Sequence, residues 1–286
     1  MDNKDKPIRI GAKFLASLAL PTFCQRCFWY RVRGGAPPFS NFPSIFNDID
    51  HYTKALLQAN IDKNGCPPKW LTAAFADVDG YENVGFLKWH DQENGIMLTG
   101  GPDAVFHGKD ESLWCVLDYK TARYTDGQDA YLAQYKVQLL SYAFLLEKNG
   151  YKRPEVAALV YFQPPAEPTY RELLARTEKD GFALPLSVEV VEVKLGDFET
   201  ITDYLGQIRA IYYSKTSPKG REGCKDCMRL ALYVRLGKTD SRPKNIGLVL
   251  DHVSPEGGSI PTTLWVDKDE TILADDDGFW FPDWED

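Results

Sequence analysis

Two cysteine pairs of the same form, Cys24-Gln25-Arg26-Cys27 and Cys224-Lys225-Asp226-Cys227, stand 196 residues apart near opposite ends of a 286-residue chain. Each pair can chelate one ion in a tight turn. If both serve one centre, the two ends of the domain must come together. Four thiolates suit a tetrahedral Zn2+ or a [4Fe–4S] cluster, and the spacing alone does not choose between them. Two unrelated pairs of reduced thiols are the alternative. Of the other cysteines, Cys115 sits in a buried strand and reads as core, and Cys66 lies in a Pro turn with no evident role.

Six cysteines in this length are too sparse for a disulfide-stapled scaffold. With 44% hydrophobic and 26% charged residues the chain has the balance of a soluble globular protein, which excludes disorder, collagen and coiled coil. No run of about 18 apolar residues occurs, so no membrane helix is expected. Phe14–Leu20, after Lys4, Lys6, Arg9 and Lys13, has the outline of a secretory leader. Its apolar run is short, no small-residue cleavage site follows, and Cys24 comes at once, so the reading is an amphipathic helix of a cytoplasmic protein.

The net charge of -8 is unevenly placed. Residues 265–286 hold nine acids and one base, residues 1–33 seven bases and two acids, and residues 212–244 nine bases and three acids. An acidic tail with two basic segments suits a polyanionic partner. The expected division is a domain over 1–250 and an acidic, Trp-containing tail or small appendage over 251–286.

Periodicity predicts a helix over 10–30 ending in the first CxxC. A second helix runs from Ser44 to Asn60, with Ile45, Ile49, Tyr52, Leu56 and Leu57 as its apolar stripe. Residues 103–121 read as a β-hairpin, Ala130–Lys148 as a long helix stopped at Gly150, and Val156–Phe162 as a buried strand. A Pro-rich excursion over 163–187 leads to a strand at Val188–Leu195 and a helix at Asp197–Tyr213. This order describes an α/β or α+β core with a mixed sheet.

The chemistry concentrates in the hairpin. Asp118 and Lys120 are two apart on one strand and share a face, while Tyr119 points away. Asp103, after Gly100-Gly101-Pro102, begins the preceding strand and comes beside Asp118 once the hairpin closes. Two converging carboxylates raise each other's pKa unless a cation joins them. A hard ion such as Mg2+ or Mn2+ prefers such oxygens, polarises a phosphodiester and lowers the pKa of a bound water. Lys120 can orient that water and stabilise developing negative charge. The next helix adds Gln138 and Tyr142, one turn apart.

GGPDAVF at 100–106, LDYKT at 117–121 and QLLSY at 138–142 resemble, in order and spacing, the PD-(D/E)XK nuclease superfamily in its RecB-like branch. That branch includes CRISPR-associated iron–sulfur exonucleases. FCQRCFWYR at 23–31 is similar to the CPRCFW segment that opens many such proteins, and the resemblance covers roughly 15–230. It implies a restriction-endonuclease-like core, a mixed central sheet flanked by helices. It implies Asp103, Asp118 and the Tyr119 carbonyl as metal ligands, Lys120 as catalytic lysine, and Gln138 and Tyr142 as positioning residues. The family also places an acid or histidine on the helix before the hairpin. Asp48, Asp50 and His51 lie there; Asp50 matches best, with His51 its rival, although no clean GxxxH or GxxxE is present.

For the cysteines the resemblance leans towards iron–sulfur, although clustered relatives use one cysteine plus three and this chain two plus two. Arg26, Arg31, Arg33, Lys219, Arg221, Lys225 and Arg229 would place a phosphate-binding surface around this clasp. The implied activity is metal-dependent hydrolysis of DNA, single- or double-stranded. Two other readings stand beside it. One is a non-catalytic nucleic-acid-binding or assembly module, whose acidic tail binds a protein partner or covers a basic groove. The other is a zinc-binding interaction protein with an incidental Asp-x-Lys.

Overall fold

The computed structural model describes residues 7–34, 45–75, 77–109, 114–125, 130–165, 168–238, 263–267 and 270–273. The chain begins with β1 (Ile8–Gly11), α1 (Ala12–Ala16), a 3-10 turn (Ser17–Ala19) and α2 (Gln25–Gly34). Next come α3 (Ile45–Asn64), α4 (Lys69–Ala74), β2 (Val78–Glu82), β3 (Leu87–Asp91), β4 (Ile96–Gly100), β5 (Ala104–Gly108) and β6 (Trp114–Lys120). Then follow α5 (Leu132–Lys148), β7 (Val156–Gln163), α6 (Tyr170–Leu174), a short hairpin of β8 (Thr177–Glu178) and β9 (Gly181–Phe182), and β10 (Ser187–Val193). The last elements are α7 (Glu199–Tyr213), α8 (Lys225–Lys238) and a hairpin of β11 (Thr263–Asp267) and β12 (Glu270–Leu273).

Strand β6 is apolar without a break until its last residues because both of its faces are covered. Trp114 and Val116 face the core shared with α5, whereas Cys115, Leu117 and Tyr119 face a second core with Leu57 of α3 and Leu71 of α4. It is the centre of a five-stranded mixed sheet of order β10-β7-β6-β5-β2. β6 pairs antiparallel with β5, as the hairpin reading requires, and parallel with β7. A parallel neighbour needs a long crossover, and α5 supplies it.

A single mixed sheet is the sequence expectation; the structure adds a second, three-stranded mixed sheet of order β1-β4-β3. α5 packs between the two, against β3 and β4 on one side and β6 and β7 on the other. That is why every residue from Gln138 to Leu146 is buried rather than one stripe. The helix stops as predicted: Asn149 N–H bonds the Leu145 carbonyl, and Gly150 takes φ +88°, a left-handed conformation that glycine adopts without strain.

Two expectations are corrected. The helix predicted over 10–30 is instead a strand, a short helix and a 3-10 turn, then a fresh helix. Ile8–Gly11 pairs parallel with β4, and Pro21 interrupts the chain, so the first CxxC opens α2 rather than ending a helix. On α3 the covered line is Ile49, Thr53, Leu57 and Ile61; Ile45, Tyr52 and Leu56 of the predicted stripe are exposed. Their spacing drifts around the helix, while the covered line keeps a step of four. Of the expected 251–286 appendage, all but β11 and β12 lies outside the described residues, so the 1–250/251–286 division does too. Among the described residues no helix is long and apolar enough to cross a membrane.

Candidate functional site

The β5–β6 register places Asp103 one step beyond the Ala104–Leu117 pair, opposite Asp118. Its own N–H bonds the Leu117 carbonyl at 3.2 Å, and its Oδ2 accepts from Tyr119 N–H at 2.5 Å. The carboxylate is thereby fixed to the strand that carries Asp118. Close approach of β4 and α5 explains the glycine just before. A Cβ on Gly100 would stand 3.0 Å from Ala12 Cβ and 3.0 Å from Tyr142 Cε1.

Asp118 and Lys120 do not emerge into solvent at the strand end. They are 3% and 7% exposed, and Lys120 Nζ lies 2.8 Å from Asp118 Oδ2. That approach is off the hydrogen-bond direction, so Oδ2 has no hydrogen-bond partner among the described residues. Gln138 spans the pair: its Oε1 accepts from Lys120 and its Nε2 faces Asp118 Oδ1, both at 3.4 Å. The same Nε2 donates to the Tyr142 hydroxyl at 2.8 Å. The Tyr135 ring lies under the ammonium, 4.0 Å from Nζ, a cation–π contact. Breaking even against an apolar pair is the usual best for a buried ion pair, because desolvating both charges opposes their attraction. Fold stability is therefore a poor reason for this arrangement.

Burial, and then the charge of Asp118, raise the Asp103 carboxyl to about 6; Lys54 opposes them. Burial likewise pushes the Tyr142 and Tyr119 phenols well above their ordinary value, so both stay neutral. Two crowded, largely buried carboxylates form a donor set that fits a hard divalent ion.

The structure brings Asp103, Asp118, Lys120, Gln138 and Tyr142 into one cluster, and puts the Tyr119 side chain in the opposite core. Asp50 reaches this cluster only through an intermediary. Its Oδ2 lies 2.7 Å from Lys54 Nζ, which in turn lies 2.8 Å from Asp103 Oδ1. Asp48 and His51 are exposed. Lys54 and Tyr135 were not singled out by the sequence reading. Lys54 had one signal, its position a single turn after Asp50 beside the covered line of α3. A cleft of about 270 Å³ opens on this side, lined by Lys54, Gln58, Tyr81, Asp103 and Tyr119 among others.

The two CxxC pairs do meet. Cys24 Sγ lies 3.5 Å from Cys227 Sγ, and Cys27 Sγ 3.5 Å from both Cys224 and Cys227. All four sulfurs fall within 4.8 Å of one another, a group able to hold a metal ion. Burial and the three neighbouring sulfurs raise the Cys27 thiol, and burial brings Cys227 to about 11. Burial acts the same way on Cys24, but the Arg221 and Cys27 backbone N–H groups and the neighbouring thiols outweigh it and lower Cys24 to about 6. Four thiolates this close would repel one another unless a cation joined them.

The expected basic surface around the clasp is partly spent on holding it shut. Arg26 donates to the Pro218 carbonyl at 2.9 Å, and Arg221 to the Thr22 carbonyl at 3.2 Å. Arg33 donates to the carbonyls of Tyr212 and Ser214 at the end of α7 and covers the Trp29 ring. Guanidinium groups thus satisfy carbonyls that a helix end and a loop leave open.

No curated protein matches the sequence. The crystal structure of SSO0001 is similar at 16% identity, over 73% of this chain and 78% of that one, with a TM-score of 0.42. The PD-(D/E)XK nuclease superfamily matches residues 54–231, more than half of the chain, which takes in the hairpin, α5 and the second CxxC. The chain belongs to the PD-(D/E)XK nuclease superfamily.

Proposed function

We propose that this protein is a divalent-metal-dependent nuclease of the RecB-like branch that hydrolyses DNA phosphodiester bonds at Asp103, Asp118 and Lys120. The observation that carries the reading is the pair of largely buried carboxylates that the β5–β6 register sets opposite each other, Asp103 and Asp118, with the Lys120 ammonium 2.8 Å from Asp118 Oδ2. Asp103, Asp118 and the Tyr119 carbonyl would hold Mg2+ or Mn2+. When bound, the ion supplies Lewis-acid polarisation of the phosphate and a water of lowered pKa.

The chain's own groups do the rest. Lys120 presents a positive donor to the phosphate oxygens and the attacking water, where charge builds in the transition state. Gln138 fixes both Lys120 and Asp118, and the Tyr142 hydroxyl fixes Gln138. The Tyr135 face lies under the ammonium as a further partner in a buried place.

The clasp is read here as structural, and as the site of one tetrahedral ion of the Zn2+ type. Four sulfurs about 2.3 Å from a central ion stand about 3.8 Å apart. Three of the six sulfur–sulfur separations are 3.5 Å, near that edge, and all six fall within 4.8 Å. A [4Fe–4S] cluster gives each thiolate its own iron at a separate corner and spreads the sulfurs more widely.

The test is cleavage of labelled linear and circular DNA, single- and double-stranded, with Mg2+ or Mn2+, against Lys120→Ala. The expected result is metal-dependent cleavage that falls by about 10²- to 10³-fold or more in the variant. No cleavage of any substrate by folded, metal-supplied protein overturns the enzyme reading in favour of a binding module.

A further inference from the structure

We propose that Lys54 is a tethered cation that competes with the divalent ion for Asp103. The inference rests on the metal-site reading above and adds a determinant of how tightly the ion is held. Lys54 Nζ sits between two carboxylates, 2.7 Å from Asp50 Oδ2 and 2.8 Å from Asp103 Oδ1, as a small cation would. Both Asp103 oxygens are engaged, Oδ2 by the Tyr119 N–H and Oδ1 by Lys54, so an incoming ion shares this carboxylate with a positive charge already seated on it.

The ammonium is free to yield. It ends a flexible four-carbon stem, its side chain is 38% exposed, and it lines the cleft beside Gln58 and Tyr81. Asp50, one turn back on α3, anchors it there and keeps a counter-charge for it after displacement. An ion binding at Asp103 meets either the repulsion of a fixed positive charge a few ångströms away or the work of parting Lys54 from Asp103. Both lower the ion's affinity. The consequence is a threshold: the site fills only above a divalent concentration that Lys54 sets, and filling it releases a cation into the cleft.

The test is direct Mn2+ binding to the full chain, followed by electron paramagnetic resonance at low ionic strength. The proteins are wild type, Lys54→Met, Lys54→Gln, Lys54→Arg and Asp103→Asn, each checked for folding by circular dichroism. Removing the charge in Lys54→Met or Lys54→Gln is expected to tighten Mn2+ binding about tenfold or more, with Lys54→Arg near wild type. Two neutral variants guard against misfolding of one. Mn2+ binding that is lost in Asp103→Asn but unchanged or weakened in both neutral variants overturns the proposal and leaves the metal site standing. Mn2+ binding indifferent to Asp103→Asn, or absent throughout, overturns the metal site itself and the proposal with it.

Discussion

The carboxylate site and the cysteine clasp are built on opposite plans. The first draws its main residues from 103–142, one hairpin and the helix that follows. Its donors are hard oxygens, and each is fixed by a near neighbour: Asp103 by Tyr119 N–H, Lys120 and Asp118 by Gln138, Gln138 by Tyr142. The second draws four soft sulfurs from the two ends of the domain, and α2 must dock on α7 and α8 before they can meet. A site made by register is present wherever the hairpin forms. A site made by closure exists only when the whole domain is folded. On the function proposed above, an ion at the first site would serve the chemistry, and an ion at the second the fold.

The largest effect that would break this comparison lies at the clasp. Cys27→Ser removes one of four thiolates and with it the tie between the chain ends. Closing a loop of this length with a cross-link or metal is worth on the order of 3–5 kcal/mol. At about 2–4 °C per kcal/mol for a domain of this size, the melting temperature should fall by about 10 °C or more. Cleavage measured well below that temperature should survive. The wild type should release one equivalent of zinc on acid digestion and the variant much less. A brown chromophore in the protein purified without air would refute the single-ion reading, and an unchanged melting temperature would refute closure.

A matched pair of glycine substitutions sharpens the same contrast at smaller cost. In Gly100→Ala the new methyl meets Tyr142 Cε1 and Ala12 Cβ, each at 3.0 Å. Overpacking of this kind costs about 1–3 kcal/mol. It also moves Tyr142 off Gln138, so the turnover number should drop several-fold while zinc retention is unaffected. In Gly220→Ala the methyl meets Cys227 Sγ at 3.0 Å and the Arg26 guanidinium at 3.5 Å. That variant should lose zinc faster to a chelator, with turnover near wild type. If each substitution disturbs both readouts equally, the two sites are not separate devices.

The same difference in plan explains what the sequence could reveal. Register and helical spacing are local, so Asp103, Asp118, Lys120, Gln138 and Tyr142 were legible from alternation in one hairpin and one turn of helix. Lys54 was not, because its role depends on which face of α3 lies on the sheet. The expected stripe holds Ile49 and Leu57 of the covered line together with the exposed Ile45, Tyr52 and Leu56, and sequence spacing cannot weigh a covered Thr53 against an exposed Tyr52. Asp50 enters as a metal ligand through the family resemblance, and in the fold the Lys54 ammonium stands between it and Asp103. The CxxC pairs named their chemistry but not their meeting, which is a property of the tertiary fold. The three-stranded sheet was hidden for a like reason: β1 is four residues long and pairs with a strand almost ninety positions away.

The smallest effect comes from Asp103 itself and separates the two sites by pH. In the metal-free protein its carboxyl stands at about 6, against 3.8 for an ordinary aspartate, with burial the first cause and Asp118 the second. Between these values the folded state holds a proton that the unfolded chain has lost, so this group makes stability fall as pH rises. The slope is about 1 kcal/mol per pH unit between about 4.5 and 5.5, and it vanishes once both states are ionised. Asp103→Asn removes the slope, whatever the other carboxylates contribute. Subtracting the variant's melting temperatures from those of the wild type should therefore leave a difference that shifts by about 2–4 °C across that unit of pH. Adding Mn2+ should flatten or reverse the trend below about pH 6, because the ion competes with the proton for the same oxygens. A difference that stays flat with pH, with and without Mn2+, would mean that Asp103 is solvated like a surface aspartate and that the carboxylates do not converge as the hairpin register requires.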